Sequence, residues 1–142
     1  MKKLLFLLAV MASVSFANAQ KVSEKEVPAV VKSALQKSHP DAKGLKWEKE
    51  KGNYEAGFEV EENDYSLLID ASGNILETEV EIKTEELPAN AKAYVAKHYV
   101  GQKIKETAKI TDSKGIITYE IEVKGKDLIF DNLGKFLKEV KD

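Results

Sequence analysis

The chemistry-bearing residues that stand out in this chain are carboxylates at strand spacing. Glu55, Glu59 and Glu61 alternate with apolar residues in one run, and Glu77, Glu79 and Glu81 do so in another. Alternation of period two puts every second side chain on one face of a strand. If the two strands share a sheet, six carboxylates share a face. Such a face would attract a cation or a basic peptide. The competing reading is a solvated, charged face that keeps the protein soluble. The second half of the chain carries Glu120 and Glu122 at the matching place but follows them with Lys124 and Lys126, so the acidic face belongs mainly to the first half.

The other candidates point away from catalysis. Asp70-Ala71-Ser72-Gly73-Asn74 lacks the alternating ligands and closing Glu of a calcium loop, and its residues are those of a tight turn. His39 stands before Pro40, and His98 lies in an apolar stripe beside Tyr94 and Tyr99, where half-burial is expected. There is no Cys, no G-x-S-x-G, no H-E-x-x-H and no phosphate loop. Trp47 alternates with charge and reads as core or sheet-edge packing. No catalytic residue, metal ligand or cofactor is expected, and the chain is not read as an enzyme.

The elements that position these residues follow from periodicity. Val27, Val30, Val31, Ala34 and Leu35 form a helical stripe after Pro28, ended by His39-Pro40-Asp41. Ser23 and Glu26 have the spacing of a capping box, but Pro28 places the helix start near Val27. Lys21 to Glu26 reads as a loosely held charged lead. Leu45 and Trp47, then Tyr54, Ala56, Phe58 and Val60, alternate as strands, with turns at Lys51-Gly52-Asn53 and Glu62-Asn63-Asp64. Tyr65 to Ile82 reads as a hairpin about the Asp70 turn, with Leu76, Thr78, Val80 and Ile82 on one face.

The pattern then repeats. Val27-Pro28-Ala29 returns as Leu87-Pro88-Ala89 at an offset of 60, and Leu67, Asp70 and Gly73 return as Leu128, Asp131 and Gly134 at an offset of 61. Leu87, Ala91, Tyr94, Val95, His98 and Tyr99 make the second stripe. The phase fails only in the last strand, where Phe136, Lys138 and Val140 replace the rhythm of Leu76, Thr78 and Val80; a bulge or a frayed end would do this. A tandem duplication of one helix packed on a roughly four-stranded antiparallel sheet is therefore expected, an α+β architecture over 20–82 and 83–142.

Met1-Lys2-Lys3, the apolar run Leu4 to Phe16 and the small-x-small Ala17-Asn18-Ala19 together read as a cleaved export signal over 1–19. Removing Lys2 and Lys3 takes the basic count from 22 to 20 against 24 acidic residues. That acidic balance disfavours nucleic acid and an anionic membrane surface. An exported chain without Cys has neither disulfides nor a cysteine lipid anchor, and must rest on a packed core.

The two helix-Pro starts, Val27-Pro28 and Leu87-Pro88, the exit His39-Pro40-Asp41-Ala42, Phe58-Glu59-Val60 and the Leu68-to-Leu76 hairpin resemble the PepSY-like, β-lactamase-inhibitor-protein-like family of exported bacterial proteins. The resemblance covers the mature chain in two copies. It implies tandem helix-plus-sheet units, a periplasmic or secreted location and no known catalytic residues. It also implies a protein or peptide partner, engaged by binding or inhibition; a cation-responsive acidic face is the alternative. Tyr54, Phe58 and Tyr119 share the apolar phase, so they are expected in the core and not as anchors on an open face.

Overall fold

A computed structural model describes residues 19–141. The expected export signal lies outside the described residues but for Ala19. The chain divides into two compact units at Thr78/Glu79, within strand β5 (Ile75–Glu81).

The first unit holds β1 (Gln20–Val22), α1 (Ala29–Ser38), β2 (Lys43–Glu50), β3 (Asn53–Val60) and β4 (Asn63–Ile69). Each strand pairs antiparallel with its chain neighbour, β1 with β2, β2 with β3 and β3 with β4. The lead segment is more ordered than its charge suggests. Gln20–Val22 forms an edge strand, and Glu24–Glu26 forms a single 3-10 turn. Ser23 makes the capping contact there, donating from its backbone N–H (2.7 Å) and its hydroxyl (2.9 Å) to the Glu26 carboxylate. That capping box and the Pro28 helix start coexist, because they serve two successive turns. Pro28 stands just outside α1, and its carbonyl accepts from Val31 and Lys32, both at 3.1 Å.

The second unit holds α2 (Ala89–His98), β6 (Ile104–Asp112), β7 (Ile117–Val123), β8 (Lys126–Asp131) and β9 (Phe136–Lys141), with β6 to β9 again paired antiparallel in order. A 3-10 turn at Thr84–Glu86 precedes α2, and the Pro88 carbonyl accepts from Ala91 and Lys92. The α+β class stands. The count of one helix on four strands is met only in outline, since each unit adds a 3-10 turn before its helix and the first unit adds the edge strand β1.

Each helix covers one face of its own sheet. Val27, Val31 and Leu35 pack with Trp47, Tyr54, Ala56, Phe58, Leu67 and Ile69. Leu87, Ala91 and Val95 pack with Ile121, Val123, Leu128 and Phe130. Fully burying side chains of this size is worth about 1.5–3 kcal/mol each, so these two cores carry the stability that disulfides would otherwise supply. Several expected positions shift. Val30 is 48% exposed, because the α1 stripe is narrower than its sequence spacing suggests. Ile75, one residue before Leu76, packs against the first core, and its counterpart Phe136 packs against the second. Ile75 and Phe136 thus share one phase, and the expected phase change disappears; separately, the β8–β9 pairing slips by one residue between Ile129 and Phe130, where Phe130 pairs with Phe136 but Ile129 pairs with Lys138.

Candidate functional site

The six carboxylates do not form one carpet. Glu55 lies on the sheet face opposite α1 but is only 8% exposed, and its Oε1 accepts from the Ser66 hydroxyl at 2.8 Å. Glu59 is exposed and pairs in register with Asp64 across β4. Glu61 is not on the strand. β3 ends at Val60, and Glu61 and Glu62 form the two central residues of the turn, at φ 49° and 68°. Glu77 is half-buried in the first unit, whereas Glu79, 5% exposed, and the half-buried Glu81 belong to the second.

What the first unit does assemble is a smaller group, two members of which the sequence did not single out. Glu48 stands directly opposite Glu55 in the β2–β3 register, and Glu50 follows on the same face two residues on. Burial pushes the Glu55 carboxyl up to about 7, and the charges of Glu48, Glu50 and Glu77 push it the same way, against the lowering effect of the Ser66 hydroxyl. Glu48 could have been found from its place beside Trp47, since a buried Trp puts its neighbour on the other face. The flanking row on that face is Lys46, Gly57 and Ser66, and beyond Glu55 comes Leu68, 8% exposed. This face is therefore drier than an open polar surface.

The turns that set strand register also seat the helices. Gly73 has φ 87°, and a side chain there would meet Val30 Cγ2 at 2.8 Å; Gly134 has φ 83° and would meet the Ala91 backbone nitrogen at 2.7 Å. Asn90 donates from its side-chain amide to the Leu133 carbonyl at 3.1 Å. Each Asp-x-x-Gly hairpin thus lies against the first turn of its own unit's helix.

The two histidines stand at the C-terminal ends of the helices. His39 ends α1 and packs on Phe58 and Tyr65, with ring centroids 5.0 and 5.4 Å away; burial holds its imidazole below the ordinary range. His98 is exposed, contrary to the half-burial expected of it, though its ring lies 4.2 Å from that of Tyr94. At the place equivalent to His39, Tyr99 donates its hydroxyl to Glu139, and that bond pushes the phenol up to about 12. Glu139 also pairs with Lys126 at 2.8 Å. Trp47 is core, 5% exposed, as its apolar phase implies.

Among the described residues no three His, Cys, Asp or Glu side chains are placed to hold a metal ion. A depression in the second unit is lined by Lys83 and Lys105 together with Glu81, Glu85 and Glu106, a mixture of signs that selects no ligand charge. No helix among the described residues is long and apolar enough to cross a membrane.

Two helix-on-sheet units with seated Asp-x-x-Gly hairpins define a tandem α+β protein. The chain matches the family model described as "Putative beta-lactamase-inhibitor-like, PepSY-like" twice, over residues 14–77 and 70–138, and it belongs to that family. No curated protein matches it. Solved structures do. A DUF2874 family protein from Bacteroides uniformis is 21% identical, with a TM-score of 0.72 over 80% of this chain and 88% of that one. A putative periplasmic protein from Bacteroides eggerthii is 19% identical, with a TM-score of 0.74 and coverage of 80% and 88%. A BLIP-like protein from Bacteroides fragilis is 25% identical, with a TM-score of 0.65 over 80% of this chain and 84% of that one.

Proposed function

We propose that the protein is an exported, non-enzymatic binding module that engages a basic segment of another protein through the acidic face of its first unit. The observation that carries this reading is the gathering of Glu48, Glu50 and Glu77 around the buried Glu55. Like charges held together on a partly dry face raise the cost of ionising one another. A cationic partner removes that penalty, so the face favours Lys- or Arg-bearing surfaces over neutral ones. Membership of a β-lactamase-inhibitor-like family supports a binding role, as does the likeness to the BLIP-like protein from Bacteroides fragilis. The signal-like residues 1–19, with cleavage after Ala19, support export to the periplasm or beyond.

A photoreactive side chain placed at position 59, on the exposed end of this face, tests the reading in cells that export the full chain. A discrete adduct is expected, weakened by Glu48→Lys and by added salt. Adducts indifferent to both changes would overturn it. Calcium calorimetry on the same protein decides the cation alternative: heat of binding together with a raised melting temperature would replace the protein partner with a cation.

A further inference from the structure

We propose that the second unit receives the tryptophan side chain of a partner protein in the depression floored by Thr107, as the first unit receives its own Trp47. This site lies in the second unit alone and does not depend on the acidic face of the first.

The frame around Trp47 and Thr107 is the same, at an offset of 60. Val22 on β1 stands opposite Trp47 on β2, and Ile82 donates its backbone N–H to the Thr107 carbonyl on β6 at 3.0 Å. Trp47 pairs on its other side with Ala56, and Thr107 with Ile121, both fully buried. A 3-10 turn precedes each helix at the matching place, Glu24–Glu26 and Thr84–Glu86. Within this frame the Trp47 ring belongs to the first core. Thr107 brings a much smaller side chain, whose hydroxyl donates to the Ile82 carbonyl. Ile104 stands where the first unit has Gly44, and it packs against the second core. What stays open is a depression of about 290 Å³ between residues 81–85 and 104–107, the counterparts of 21–25 and 44–47. Sites for drug-sized molecules run from about 300 to 1,000 Å³, so this one suits a single ring system.

The lining favours a ring that carries a donor. Glu81, Glu85 and Glu106 stand where the first unit has Lys21, Lys25 and Lys46. Lys105, also in the lining, is held by Glu122 at 2.8 Å. Carboxylates attract the electropositive edge of an aromatic ring and accept from an indole N–H. In the first unit the Trp47 Nε1 is buried with no acceptor among the described residues, so the ring is held there by shape and apolar contact. The second unit adds acceptors to the same shape. Tryptophan is also among the side chains that most often anchor a protein–protein contact in a pocket.

Nitrogen-15 NMR of the whole protein tests this, with N-acetyl-tryptophanamide, N-acetyl-leucinamide and free indole titrated separately. At millimolar concentration the tryptophan amide should shift the backbone amides of Lys83, Thr84, Ile104 and Thr107 several-fold more than the leucine amide does. Thr107→Trp should fill the depression from within. It should abolish those shifts and add a second slowly exchanging indole N–H resonance beside that of Trp47. Equal shifts from the two amides, or none at these residues, would overturn the site. Binding of free indole without the amide would overturn the docking of a side chain. The wild-type titration decides the matter even where Thr107→Trp does not fold.

Discussion

Asp70 and Asp131, 61 positions apart, hold the same turn in the same way. Each Oδ1 accepts from the backbone nitrogens two and four residues on, all at 2.9 Å. Asp112 repeats the pattern a third time, with Lys114 and Ile116 as donors. These bonds hold the Asp70 carboxyl below its ordinary range, the side-chain amide of Asn74 being the largest cause. A depressed folded value means stability that is present above the unfolded carboxylate range and lost as pH falls through the folded value. Asp70→Ala should lower the melting temperature at neutral pH, and Asp70→Asn should lower it less, since one acceptor survives. Thermal denaturation across pH checks this: the gap between wild type and Asp70→Asn should shrink in acid.

Gly134 and Gly52 share a left-handed backbone, φ 83° at both, but only Gly134 lies against a helix. Gly52→Ala should cost about 1 kcal/mol from backbone strain alone. Gly134→Ala adds a collision with the Ala91 backbone and Pro88, and should cost at least about 2 kcal/mol. Urea denaturation of the two variants measures the difference. Equal losses would mean that the hairpin does not seat α2.

Glu61 and Glu62 occupy a two-residue hairpin turn that demands positive φ at both places. The equivalent turn in the second unit uses Lys124-Gly125, and the β2–β3 turn uses Lys51-Gly52. Glu61→Asn with Glu62→Gly should therefore stabilise the protein, by about 1–2 kcal/mol. Chemical denaturation reads the gain directly, and a loss would mean that these two carboxylates hold a contact worth more than the strain.

Glu55 has the opposite pH signature from Asp70. Its folded value lies above its unfolded one, so the folded state holds the proton more tightly. Stability from this group is full below the unfolded carboxylate range and falls as pH rises through about 7. Glu55→Gln keeps an acceptor for the Ser66 hydroxyl and removes the charge. It should stabilise the protein on the order of 2 kcal/mol at mildly alkaline pH and change little in acid. A Glu55→Gln variant less stable at every pH would mean that the carboxylate is favoured where it stands.

The duplication, the helix faces and the strands of the hairpins were legible because apolar spacing and turn residues are local signals. Val31, Leu35 and Phe58 could be placed in the core from period alone. The candidate site was read less well, for a physical reason. Alternation says which residues share a face, but burial of that face depends on neighbours distant in the chain. Glu55 and Glu59 have the same phase and opposite exposure. Glu61 continues the alternation in letters but follows the end of the strand, a boundary set by the two-residue turn. Edge strand β1 has only three residues, too few for a period to be seen, and it exists because Val22 finds Trp47 beside it.

The central claim is that acidic side chains gather around a buried Glu55 on the first unit's sheet. Carbon-13 NMR of the Glu55 side-chain carboxyl, followed through a pH titration of the whole protein, tests it most directly. A midpoint near 7 is expected, moving down in Glu48→Gln as one repelling charge is removed. A midpoint at the ordinary glutamate value of about 4.3, unmoved by that substitution, would contradict it.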